Sequence, residues 1–179
     1  AGGDVIHRVY AARVDGEYIV VEVENRASRP LALALAVRPY DHLGGGRVDQ
    51  IELNDRTLSV DGDVALICGR SPGRLVVGTG GVDPASLLNQ TASTDRSITC
   101  ETGMASAVII VPLVHGSTFR SAVPLGYTND AQVIPKLPSA QQVASGWGKH
   151  AVSACRFVLP PGLINDLFDA SRQSLLLAS

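Results

Sequence analysis

Aromatic residues are scarce in this chain, at 4% with a single tryptophan. A flat aromatic platform for sugar stacking would have to be built from Trp147 and one of the dispersed tyrosines. Long apolar runs are lacking too: none approaches the ~18 residues that a membrane-spanning helix needs. There is no surplus of positive charge. The net charge is −2, and the basic residues are almost all arginine, scattered singly. That excludes an electrostatic binder of nucleic acid or of an anionic membrane surface. Cys68, Cys100 and Cys155 show no C-x-x-C spacing, which removes zinc-ribbon and thioredoxin-type readings. Three reduced thiols are the plain expectation, with one disulfide plus a free thiol as the alternative. The reduced reading favours the cytoplasm. The chain opens "AGGDVIHRVY", with neither an initiator Met nor a basic-then-apolar leader, so it reads as an excised or processed fragment.

What is present is a globular composition, 45% hydrophobic and 18% charged over 179 residues. That length buries a core without disulfide staples. The first two-thirds reads as short strands separated by Gly, Asp and Pro turns at near-regular spacing, the pattern of an all-β domain. Val5 to Arg13 and Glu17 to Asn25 flank "VDGE", where Asp15-Gly16 signals a hairpin. In the second of these strands Ile19, Val21 and Val23 mark a core face, while Val20, Glu22 and Glu24 mark a wetter one. "RPLALALAV" follows, with Leu31, Leu33, Leu35 and Val37 on one face and Ala32, Ala34 and Ala36 on the other. Small residues on a whole face suggest that something approaches it closely. A second sheet or a helix is expected there, and Ala140 to Trp147 is the candidate helix. "ASAVIIVPLV" reads as a strand buried on both faces. In "VDPASLLNQ", Asp83 caps a short helix that begins at Pro84.

The character changes near Gly126. "SAQQVASGWGKH" is helix-like, with Gly146 and Gly148 weakening its end. "AVSACRFVLP" reads as a last strand. A terminal helix from about residue 161 to 177 carries a stripe at Ile164, Leu167, Phe168 and Leu175. Leu175, Leu176 and Leu177 point in three successive directions, which makes them candidate interface residues, for self-association or for a following domain. The division expected is a β-sandwich over residues 1–137 and a helical linker with one strand over 138–179.

No motif carries a reaction. "GRSPG" matches G-x-S-x-G, but the residue after Ser71 is Pro72, which has no N–H for an oxyanion hole, and a strand follows where a nucleophile elbow needs a helix. It reads as a hairpin turn. "GTGG" has Asp83 where a dinucleotide fingerprint would need a third glycine. His7, His42, His115 and His150 show no metal-binding spacing, and most aspartates occupy turns. His115 and Glu101 are the best pair for the acid–base set of an aldose epimerase. The sequence therefore nominates no catalytic, cofactor-binding or metal-ligating residue. Trp147 is the one candidate carbohydrate contact.

The order of elements, with "NRASRPLALALAVRPYDHLGG" early and "FVLPPGLINDLFDASRQSLLLA" late, resembles the N-terminal β-supersandwich of glycoside hydrolases and phosphorylases that carry an (α/α)6-toroid catalytic domain. In the late segment Leu159, Pro160, Leu163, Phe168, Ala170, Leu175 and Leu176 would begin the first toroid helix. The resemblance implies an antiparallel sandwich of the galactose mutarotase-like kind, without catalytic residues. It would serve as scaffold for a C-terminal catalytic domain absent from this chain. It covers the order of elements, and fold alone does not fix function. A free-standing carbohydrate-binding or epimerase-like sandwich, or a structural module that forms a homo-oligomer, is the alternative.

Overall fold

The computed structural model describes residues 4–41, 44–88, 96–127, 132–153 and 161–178. They form two compact units, Ala1–Leu137 and Pro138–Ser179. The first holds β1 (Val5–Arg13), β2 (Glu17–Asn25), β3 (Leu31–Val37), β4 (Tyr40–Asp41), β5 (Gly44–Gly45), β6 (Gln50–Asn54), β7 (Thr57–Val60), β8 (Asp63–Cys68), β9 (Arg74–Gly78), α1 (Pro84–Leu87), β10 (Ser97–Thr99), β11 (Ser106–Leu113) and β12 (Thr118–Pro124). The second holds α2 (Ala140–Ser153) and α3 (Leu163–Ala178).

The architecture is mainly β, and its named strands pair antiparallel. A wide sheet of seven strands runs in the order β1-β2-β12-β8-β7-β6-β10. A narrow sheet of three runs β3-β11-β9. One apolar core lies between them: Val23, Ile51, Leu58 and Phe119 of the wide sheet meet Leu75, Ile109, Val111 and Leu113 of the narrow one. Local chemistry explains the hairpins. Val60 pairs with Asp63 across Asp61-Gly62, whose φ values of 53° and 90° are both positive, as a type I′ turn demands.

The chain changes sheet between β2 and β3, and again between β11 and β12. Both corners are held by Asn25, which has no exposure. Its Nδ2 donates to Arg29 O at 3.0 Å and Leu113 O at 2.8 Å, and its Oδ1 accepts from Ala27 N at 2.9 Å. Its backbone N donates to Ser117 O and its carbonyl accepts from Gly116 N. Beside it, His115 Nδ1 donates to Ala27 O at 2.7 Å. These corners carry the chain from the wide sheet to the narrow one and back.

Several sequence expectations need correction. "GRSPG" is not a hairpin turn, because β8 and β9 belong to different sheets. It is the crossing between them, held by Gly69 N to Arg120 O and Gly73 N to Ile110 O. A Cβ on Gly69 would meet Arg120 O at 2.8 Å, so close backbone approach dictates glycine there. The wetter face expected on β2 is covered: Tyr18 and Val20 pack with Ala122 under Val133, Ile134 and Leu137. The segment around a 3₁₀ turn at Ile134–Lys136 thus builds a second core on the outer face of the wide sheet.

The alanine face of β3 is the largest departure. Its Leu and Val residues are half-buried against the core, while Ala32, Ala34 and Ala36 are exposed. The second sheet lies on the leucine side, and among the described residues of the first unit α1 borders the alanines without closing over them. α2 also runs past Gly146 and Gly148 to Ser153, taking the first residues of the expected last strand. Residues 154–160 of that strand lie outside the described residues. A capping box starts α2, with Ser139 N donating to Gln142 Oε1 at 2.8 Å and Gln142 N to Ser139 Oγ at 3.2 Å.

An open alanine face makes a clear prediction. Ala34→Leu should change stability by no more than about 0.5 kcal/mol in urea unfolding, whereas a covered face would be overpacked at a cost of about 1–3 kcal/mol.

Candidate functional site

The outer face of the narrow sheet carries a groove of about 450 Å³. α1 makes its wall. Asp83 caps this helix by accepting Ala85 N at 2.9 Å, and Pro84 supplies the preset φ of a first turn. Leu87, fully buried, packs on Val76 of β9 and Val108 of β11. Being a single turn long, α1 covers those strands and stops short of β3. Ala34, Ala36 and Val108 remain as floor, Pro84, Ala85 and Leu88 as wall, and Arg38 and Asp83 at the rim. The Arg38 guanidinium lies 4.7 Å from the centre of the Tyr40 ring, which orients the cation. A groove of this size suits a small ligand or a peptide side chain. Its floor is apolar, and its one carboxylate is engaged in capping.

The most buried acid lies elsewhere, on the outer face of the wide sheet. Glu22 Oε1 accepts from Tyr10 Oη at 2.7 Å and lies 3.1 Å from Arg120 Nε. Arg120 Nη2 donates to Tyr10 Oη at 2.7 Å, closing a triangle. Its Nη1 reaches Ile134 O at 3.3 Å and Leu137 O at 3.2 Å. Burial, then the Glu22 carboxylate beside it, raises the Tyr10 pKa. The network pairs each of its own charges and ties down the segment that covers the second core, so its role is structural. Glu24 is likewise engaged by Arg26 at 2.8 Å and Arg8 at 2.9 Å, which lower its pKa in that order.

The two described cysteines differ sharply. Burial pushes the Cys68 thiol up to about 11. Cys100, also buried, is held down to about 7 by hydrogen bonds from the Thr102 side chain and from the backbone at Gly80 and Met104. Its Sγ lies 3.1 Å from Thr102 Oγ1. Sequence reasoning missed this pairing because the "GTGG" and "CETGM" loops meet only through the fold. Both cysteines are free thiols, while Cys155 lies outside the described residues.

His115 and Glu101 are not brought together. They flank opposite ends of the eight-residue β11, about 25 Å apart at a strand's rise per residue. His115 instead serves the Asn25 corner, and Glu101 sits in a turn, exposed, its carbonyl accepting from Arg47. Ser71 donates its hydroxyl to Asp55 in an exposed contact, and Arg56 pairs with the same carboxylate. Trp147 lies on α2, 46% exposed. Its ring meets that of His150 edge-on, at 6.4 Å between centres and 61° between planes. Leu175, Leu176 and Leu177 fall in the last turns of α3, with side chains outside the described residues. Ile164, Leu167 and Phe168 of the same helix are exposed.

Among the described residues no cluster of His, Cys, Asp or Glu could hold a metal ion, and no helix is long and apolar enough to cross a membrane. Comparison with known proteins gives no matching family model, curated protein or solved structure.

The thiol environments predict a selective reaction. In a Cys155→Ser background, alkylation of Cys100 by iodoacetamide should rise through a midpoint near pH 7, because the thiolate is the nucleophile. Cys68 should stay unmodified until the protein unfolds. Equal labelling of the two, read by peptide mass spectrometry, would contradict this assignment.

Proposed function

We propose that this chain is a non-catalytic β-sandwich module of a larger carbohydrate-active protein, acting as a scaffold for a helical catalytic domain. The observation that supports it best is the commitment of several of the sandwich's acid–base groups to structure. Glu22, Glu24, Ser71, Asp83 and His115 are each bound to a partner within the fold. Among the described residues an apolar groove over alanines stays exposed. A sandwich so arranged offers faces to other parts of a protein. The carbohydrate part of the reading rests on the likeness of "NRASRPLALALAVRPYDHLGG" and "FVLPPGLINDLFDASRQSLLLA" to the β-supersandwich modules of toroid-type glycoside hydrolases and phosphorylases.

Trp147 is the candidate sugar contact, and its uniqueness in the chain makes it its own reporter. Titration with maltooligosaccharides and cellooligosaccharides should quench its fluorescence, and Trp147→Ala should abolish binding detected by calorimetry. The chain alone should neither hydrolyse these sugars nor accelerate aldose epimerisation. Turnover of either kind would overturn the non-catalytic reading. Unchanged fluorescence with every sugar would remove the carbohydrate contact.

A further inference from the structure

The core between the sheets is not evenly filled. On its wide-sheet side the inward residues of β12 run Phe119, Ser121, Val123, with Val23, Val21 and Ile19 of β2 opposite them. Phe119 and Val23 are buried, whereas Val21, Val123 and Ile19 are half-buried. In the middle of β12 stands Ser121, 1% exposed, where the residues on either side of it on this face are Phe119 and Val123. Beyond β12, the pairing of β7 with β8 slips between Leu58↔Leu66 and Ser59↔Val64, which leaves Ala65 as the extra residue of a bulge. A serine where a hydrocarbon could stand, and a small residue at a bulge, leave the core short of side-chain volume at one spot.

A cavity of about 240 Å³ lies there. Val21, Ser121 and Leu66 of the wide sheet form one side of it, and Leu35, Val37 and Ile109 of the narrow sheet the other. Its mouth is marked by lining residues that are only half-buried, Ala65 and Val123 among them. Among the described residues no charged side chain lines it, and Ser121 is its one polar side chain. The Ser121 hydroxyl has no hydrogen-bond partner among the described residues. Three properties of a ligand follow. It is neutral, because an ion would lie there desolvated and unpaired. It is small: an apolar cavity of about 150 Å³ admits benzene, so this one admits one ring or two. It carries a single hydrogen-bonding group, because one buried hydroxyl is there to meet it. A water molecule would find that hydroxyl alone where it needs about 2–4 polar partners, so an apolar molecule displaces solvent from the site readily.

We propose that the cavity between the sheets binds a small neutral ring compound with one polar group, that group bonded to the Ser121 hydroxyl and the ring held between Leu35, Leu66 and Ile109. A ring suits the site better than a chain of equal size, since it has fewer rotations to lose on binding. Ser121 can donate or accept, so the polar group is a hydroxyl, a carbonyl or a ring N–H. The site lies inside the sandwich, away from Trp147 and from the alanine groove, and the inference is independent of the carbohydrate reading.

The test uses the full chain with phenol, indole, toluene and benzoate as probes, followed by methyl NMR. Phenol and indole should shift the methyl signals of Val21, Leu35, Leu58, Leu66 and Val123 and raise the thermal unfolding midpoint. Benzoate, a ring of similar size with a charge, should do neither. Ser121→Ala should weaken phenol binding about tenfold and leave toluene unchanged, because toluene never used the hydroxyl. Val123→Phe should fill the mouth and abolish binding of all the probes. Should that variant misfold, the Ser121→Ala comparison decides the matter by itself. Absence of shifts at these methyls with both phenol and indole would overturn the proposal, as would equal effects of Ser121→Ala on phenol and toluene. Shifts at the same methyls on raising the concentration of the chain alone would give the cavity to a second copy, and would overturn it too.

Discussion

The sandwich depends on one buried amide. Asn25 stands where the chain leaves the wide sheet for the narrow one, beside the place where it returns. Its side chain joins both corners, taking carbonyls from Arg29 and Leu113 and an N–H from Ala27. A buried polar group left unpaired costs about 1–3 kcal/mol, and here three partners meet a single side chain. An aspartate would keep the acceptor and lose the donors. An apolar residue would lose both. The His115 bond to Ala27 O braces the same joint from the returning strand.

Much of the architecture follows from that joint. It fixes where the chain passes between the sheets, and the Gly69 crossing then carries β8 on to β9. Toward the β10 edge of the wide sheet, Val48, Cys100 and Ala105 fill the core from loops. The two outer faces are closed by different means. A segment pinned by Arg120 covers the wide sheet near β2 and β12, and the single turn of α1 covers part of the narrow sheet. Among the described residues the alanine groove stays exposed beside α1.

Elements set by local chemistry were legible in the sequence. Asp15-Gly16 and Asp61-Gly62 announce hairpins because few other residues accept positive φ, and Asp83-Pro84 announces α1 because a cap and a preset φ sit side by side. The helical stretches at 140 and 163 show in their periodicity. Which partner covers which face was not legible, because alternation states that a strand has two faces and not what lies against them. Val20 and Glu22 read as a wetter face until residues 133–137, distant in sequence, came to cover it. The alanines of β3 read as a close-packed face for the same reason, although small size also suits a face that is left open. Asn25 read only as the end of a strand, since its partners at Arg29 and Leu113 are brought to it by the fold. The Cys100 environment was hidden likewise, being assembled from two separate loops.

The account stands or falls on the joint between the sheets, and equilibrium urea unfolding of Asn25→Ala measures it most directly. Loss of the amide removes its bonds to Leu113 O and Arg29 O in a buried site and leaves Ala27 N with Asp4 O alone. A loss of about 2–4 kcal/mol is predicted, a large share of the stability of a domain this size. Exposure of the core by way of the corners should accompany it, seen as faster hydrogen exchange at Leu31, Leu113 and Phe119. A change below about 0.5 kcal/mol, with exchange at those amides unaltered, would show that the sheets are held together by the core alone and would contradict the account.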